Sequence, residues 1–143
     1  EADEISSSKD PTALPAIQEM LTDKDPIVRY WGVIGCTVLS SHARSSTARL
    51  KELLQDREIS VRIAAAEALY IQGEKEQPLK TLVAALKSDN LMARVQALNV
   101  LEVMGDDARP ALSTIRSLLK DDIKDGDYDA RAARRVTETL ENN

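Results

Sequence analysis

An arginine preceded by a small apolar residue returns four times along the 143-residue chain, in Val28-Arg29, Val61-Arg62, Ala93-Arg94 and Ala130-Arg131, at spacings of 33, 32 and 37 residues. A period of this size is too short for a domain and too long for one ordinary helix. It is the length of a helical hairpin, and a chain of such copies buries its apolar faces by stacking each copy on the next. A second marker, Leu21, Leu54, Leu86 and Leu119, keeps spacings of 33, 32 and 33 residues. The two series agree through three copies. In the fourth, the arginine lies four residues further from its leucine, which places an insertion within Asp121 to Tyr128.

Within each copy the pattern is helix, short turn, helix. Apolar residues stand seven and four before the leucine in nearly every first helix (Leu14 and Ile17, Thr47 and Leu50, Leu79 and Leu82, Leu112 and Ile115), which makes one amphipathic face. Pro15, Pro78 and Pro110 fall in first turns, where a missing N–H costs nothing. Four residues before each arginine stand Asp25, Glu58, Asn90 and Asp127, the place for an N-cap, and Pro26 follows Asp25 at the first helical position. Gly73 and Gly105 come eleven residues after Arg62 and Arg94, where a helix ends in a left-handed residue. Gly32 and Gly35 sit inside a helix and imply that something bulky lies against its backbone.

This order of elements resembles the HEAT repeat, in a short form of about thirty residues rather than the longer one of roughly 40 to 47. Tetratricopeptide and ankyrin repeats have similar periods, but their signatures are missing. The resemblance implies an all-α fold, a right-handed, armadillo-like α-α superhelix of about four helical hairpins. It predicts an acidic linker over 1–11 and a repeat domain over 12–143, with copies at about 12–40, 45–73, 76–105 and 107–141. In HEAT proteins the acidic turn residue and the arginine form a ladder, which implies Asp25 with Arg29, Glu58 with Arg62 and Asp127 with Arg131. Asn90 departs from that pattern and leaves Arg94 to Asp89.

A narrower likeness is carried by "VRYWGVIGC" (Val28 to Cys36), "VRIAAAEAL" (Val61 to Leu69) and "RVQALNVLEVMG" (Arg94 to Gly105) in that order. Together they look like the HEAT-like module that follows the catalytic domain in many bacterial sulfatases of the arylsulfatase and heparan N-sulfatase type. That implies an exported parent, periplasmic or secreted, which hydrolyses a sulfate ester or sulfamate. Cys36 is followed by Thr37, Val38, Leu39 and Ser40, so the Cys/Ser-x-Pro-x-Arg motif of sulfatases is absent. This chain is then expected to be non-catalytic. It begins at Glu1 without an initiator Met, which is read as a piece excised from something larger.

Composition narrows the partners. Cys36 lies seven residues after Arg29, the place held by Leu69 and Leu101 in later copies, and is expected to be a buried, unreactive thiol. With one Cys and one His (His42), neither an internal disulfide nor a multi-cysteine metal site is available, and no cofactor or metal is expected. Asp121, Asp125, Asp127 and Asp129 approach a calcium-loop spacing, but Ile123 and Ala132 stand where oxygen ligands belong, so a solvated turn is expected. The longest nearly apolar run, Trp31 to Leu39, falls short of the roughly 20 residues that insertion across a membrane needs. Net charge is −5, and all of it lies in residues 1 to 25; the remainder balances 17 acids with 17 bases. A nucleic-acid partner is not expected from such a balance. Arg44, Arg49, Arg131, Arg134 and Arg135 could touch a sulfated glycan, although a polar terminal repeat explains the last two as well.

Positions one, two, five and eight after each arginine are expected on the inner, concave side. They hold Tyr30, Trp31 and Ile34 in the first copy, Ile63, Glu67 and Tyr70 in the second, and Val95, Gln96 and Asn99 in the third. Their aromatic and apolar residues suggest a protein interface formed by Tyr30, Trp31, Ile34, Ile63, Tyr70 and Val95. The expected function is a non-catalytic helical scaffold docked on a neighbouring catalytic domain. The alternative is a free-standing adaptor that binds a protein or peptide on the concave face. A lyase subunit handling a bilin, or a protein acting on modified DNA, would need a reactive Cys/His pocket or a basic face, and neither is legible.

Overall fold

The computed structural model describes residues 10–142; most of the acidic linker expected over 1–11 lies outside them. The elements are helical throughout: α1 (Leu14–Met20), α2 (Pro26–Leu39), α3 (Thr47–Leu53), α4 (Ile59–Ile71), α5 (Glu76–Leu86), α6 (Leu91–Met104), α7 (Leu112–Arg116) and α8 (Tyr128–Glu141). Tight 3-10 turns at Pro11–Ala13, Ser40–Ser46 and Gly105–Ala111 lead into α1, α3 and α7. No strand occurs among the described residues, and the fold class is all-α. The chain divides into two compact units, Glu1–Pro78 and Leu79–Asn143.

Two of the second helices, α2 and α6, start where the chain supplies a side-chain acceptor for a free N–H group. The Asp25 carboxylate accepts from the Ile27 N–H at 2.9 Å, and the Asn90 side-chain oxygen accepts from Ala93 at 3.2 Å. Glu58 and Asp127 do not cap α4 and α8 with their side chains. Asp127 instead accepts from the Lys124 N–H and from Lys120 Nζ, each at 3.0 Å, and so closes the inserted loop.

The turns before α2, α4 and α6 share a smaller device. Asp23, Asp56 and Ser88, each six residues before an arginine, accept with a side-chain oxygen from the N–H two residues on, at 2.8, 2.9 and 3.1 Å. Helix ends repeat as well. Gly73 and Gly105 have φ of +103° and +57°, the conformation a side chain resists. Ser40, eleven residues after Arg29, holds the same place in the first copy at φ 52°.

In the first unit α1 packs on α2, α3 on α4, and α2 on α4. Ile17, Leu21, Val33, Cys36, Leu50, Leu53, Val61 and Leu69 are buried there. The two glycines of α2 let α1 come close. A Cβ at Gly32 would lie 2.9 Å from Met20 Cβ and 3.2 Å from the Leu21 backbone N, and one at Gly35 would lie 2.9 Å from Ile17 Cδ1. In the second unit α7 packs on α8 and α6 on α8, with Leu98, Leu101, Ile115, Val136 and Leu140 buried. Of the four marker leucines, Leu21, Leu54 and Leu86 are buried, whereas Leu119 is 39 % exposed, because the inserted loop follows it in place of a tight turn.

Candidate functional site

The repeat arginines are placed by the second helices, one turn in from the start, and point back across the preceding turn. Arg29 Nη1 donates to the carbonyls of Asp23 and Lys24, both at 2.9 Å, while its Nε and Nη2 grip Asp56 at 2.8 and 3.1 Å. Arg62 Nη1 repeats the first half, donating to the carbonyls of Asp56 and Arg57 at 2.7 and 3.2 Å. Arg94 donates to the Ser88 carbonyl at 2.8 Å and pairs with Asp129 at 2.8 Å. Arg131 donates to the Lys124 carbonyl and pairs with Asp125.

The ladder therefore runs differently from the one the HEAT likeness implied. Asp25, Glu58 and Asp127 are not the partners of Arg29, Arg62 and Arg131, and Asp89 is not the partner of Arg94. Asp25 is occupied with the Ile27 N–H of its own helix, and Asp127 with Lys120 and the Lys124 N–H of the inserted loop. The guanidinium groups of Arg29 and Arg94 instead span to an acid of the next hairpin, Asp56 and Asp129, while Arg131 pairs with Asp125 of its own. Both side chains of the Arg29–Asp56 pair are 7 % exposed. Burial opposes ionisation of Asp56, but hydrogen bonds from Arg29 and from the Glu58 N–H outweigh it and hold its carboxyl below the usual range. The signal that could have found Asp56 was its place: it stands six residues before Arg62, as Asp23 does before Arg29.

This use of the arginines leaves the other side of α2 without charge. Arg29 is the helix's one charged residue, and it faces the turn. At helical spacing, Ile27, Tyr30, Trp31, Ile34 and Val38 line the side away from Gly32, Val33 and Cys36. Ile27 is 65 % exposed, and the other four are half-buried. Tyr30 and Trp31 meet edge to face, with ring centroids 5.6 Å apart.

Helix α4 lies beside α2, and the Arg29–Asp56 bridge brings their N-terminal ends together, so the two run parallel. Its equivalents of the α2 stripe are Ser60, Ile63, Ala64, Glu67 and Ile71, with Tyr70 beside them at the place of Thr37. Ile63 is fully buried, so it cannot belong to an exposed interface as the sequence suggested; the β-branched side chain turns into the packing of α4. Tyr70 is half-buried and Ile71 partly exposed. Glu67, at the place of Ile34, is half-buried, and burial pushes its carboxyl above the usual range. Val95 is half-buried on α6, in the second unit.

The remaining sequence candidates are chemically quiet. Cys36 is 1 % exposed, and burial pushes its thiol up to about 11 against a hydrogen bond with Ser46. Among the described residues no cluster of three or more His, Cys, Asp or Glu side chains could hold a metal ion. No helix of the described residues is long and apolar enough to cross a membrane. Several arginines once open to an anionic glycan are tied to acids or carbonyls: Arg49 to Leu21 O and Glu52, Arg131 to Asp125, and Arg135 to Glu102.

Neither a family model nor a curated protein matches the chain. Among solved structures it is similar to a chain in the complex of CpcE and CpcF of phycocyanin lyase from Nostoc sp. PCC7120, at 20% identity with a TM-score of 0.61. The match covers 97% of this chain and 60% of that chain's length. At that identity the likeness is one of fold, an all-α, HEAT-like arrangement. It corrects the narrower resemblance to the HEAT-like module of bacterial sulfatases. The short Val-Arg and Ala-Leu motifs that suggested it are demands of hairpin packing and of the turn clamp, which any HEAT-like chain meets. The expectation of an exported sulfatase parent falls with it.

Proposed function

We propose that this chain is a helical-repeat adaptor, a non-catalytic module of four hairpins over 12–143 that binds another protein through the α2/α4 face. The observation that carries the reading is the stripe Ile27, Tyr30, Trp31, Ile34 and Val38, a helix side open to solvent in part and bare of charge. A surface helix without a partner is ordinarily polar on its outer side, and contiguous apolar patches with Trp and Tyr mark interaction surfaces. The similar solved structure is that of a complex of two different proteins, CpcE and CpcF, which supports a protein as the partner here.

A photo-crosslinking residue placed at 31 or 34 should yield one adduct of defined mass in cells that make the protein, and the same residue at 52 or 138 should not. The captured protein, once purified, should bind the wild-type chain and lose at least about tenfold in affinity on Ile34→Asp, with the melting transition kept. Adducts formed equally from both pairs of positions would overturn the reading.

A further inference from the structure

Glu67 is the one charged side chain on the stripes of α2 and α4. The charged residues of the two helices are Arg29, Arg62 and Glu67, and both arginines are turned onto the turns that precede their helices. One helical turn separates Glu67 from Ile63 and Ala64 on one side and from Tyr70 and Ile71 on the other. Its counterpart on the neighbouring helix is Ile34. The carboxylate is thus set in apolar surroundings, half out of water.

No cation among the described residues offsets that cost. Glu67 makes no hydrogen bond or ion pair among the described residues. The bases of the helices packed on α4 within its unit are all engaged. Arg29 is held by Asp56, Arg49 by the Leu21 carbonyl and Glu52, and Lys51 by Glu74 at 3.3 Å. Burial alone raises its pKa, with no neighbouring charge opposing it. A carboxylate left unpaired at the edge of an apolar surface weakens the free protein and gains most when a cation reaches it as water is excluded. The aromatic rings of Tyr30, Trp31 and Tyr70 on the same two helices suit the flat, weakly hydrated guanidinium or the stem of a lysine.

We infer that Glu67 receives a single basic side chain, Arg or Lys, presented by the apolar segment that docks on the α2/α4 face. The inference rests on the reading of that face as a docking surface and adds the chemistry of what it selects. A random peptide library displayed on phage and selected against the intact chain tests both. Binders should lose affinity on Ile34→Asp and should align on one basic position. Replacing that residue by Gln should weaken binding to the wild-type chain by about tenfold or more, a difference that disappears on Glu67→Gln. Selected peptides that depend on Ile34 without a basic position, or whose basic preference persists on Glu67→Gln, would leave the docking face standing and overturn the role of Glu67. Binders indifferent to Ile34→Asp would overturn both. A second readout needs no variant: the Glu67 carboxyl, followed by NMR in the wild-type chain, should titrate at lower pH once such a peptide is bound, and an unmoved titration counts against the pair.

Discussion

At the scale of single residues, two carboxylates in the first unit have opposite histories. Asp56 joins two turns through Arg29, and its folded pKa is depressed, so its stabilisation is present above the unfolded value of about 3.9 and is lost as pH falls through the folded one. Asp56→Ala, which strands a buried guanidinium, should cost about 3 to 5 kcal/mol in denaturant unfolding at neutral pH. The gap from wild type should close in acid, and a gap that stayed constant would contradict the bridge. Glu67 works the other way. Its folded pKa is raised, so folding is disfavoured as pH rises from about 4.3 through the folded value, and Glu67→Gln should leave the chain equally or more stable at pH 7. Any gain should vanish on acidification below about 4, as followed by thermal melts across that range.

At the scale of helices, the close approach of α1 to α2 depends on the absence of two side chains, but not equally. A Cβ at Gly32 meets Met20 Cβ and the Leu21 backbone, which cannot step aside, whereas one at Gly35 meets the end of the Ile17 side chain. Gly32→Ala should therefore destabilise by more than Gly35→Ala, at about 1 to 3 kcal/mol against a smaller or negligible loss in urea unfolding. The end of α2 invites a change in the favourable direction. Ser40 stands at φ 52° where the later copies use Gly73 and Gly105, and Ser40→Gly should raise stability by about 1 kcal/mol, after the greater freedom of glycine in the unfolded chain is set against the relieved strain. Much of this level was legible in the residues, because caps, left-handed ends and apolar spacing are local. Asp25 and Asn90 could be named as caps for that reason. The partner of each arginine was not, since Asp56 and Asp129 lie 27 and 35 residues away from Arg29 and Arg94 and only packing brings them in. The burial of Ile63 escaped for the same reason: spacing tells which residues share a side of a helix, and the neighbouring helix decides whether that side is covered.

At the scale of the whole chain, the all-α class followed from periodicity, and the identity of a larger parent did not, because motifs shared by every closely packed hairpin carry no information about what the chain is joined to. Charge is the whole-molecule property with a direct consequence. The net value is −5, and Arg29, Arg49, Arg94, Arg131 and Arg135 are each committed to an acid of the chain itself. The protein should pass through a heparin column unretained at ordinary ionic strength and should not shift labelled duplex DNA; salt-dependent retention would show a basic surface that this pairing denies. The Arg29 clamp also bears on how such chains grow and shrink. For Arg29 and Arg94 the acid that completes one hairpin is encoded midway through the next, at the start of its second helix, so the inherited segment that can be copied or excised cleanly is not the helical pair but a frame shifted by one helix. A duplication cut at the helical pair would leave a guanidinium facing a stranger's turn, and would be tolerated only where that turn happened to bring its own aspartate.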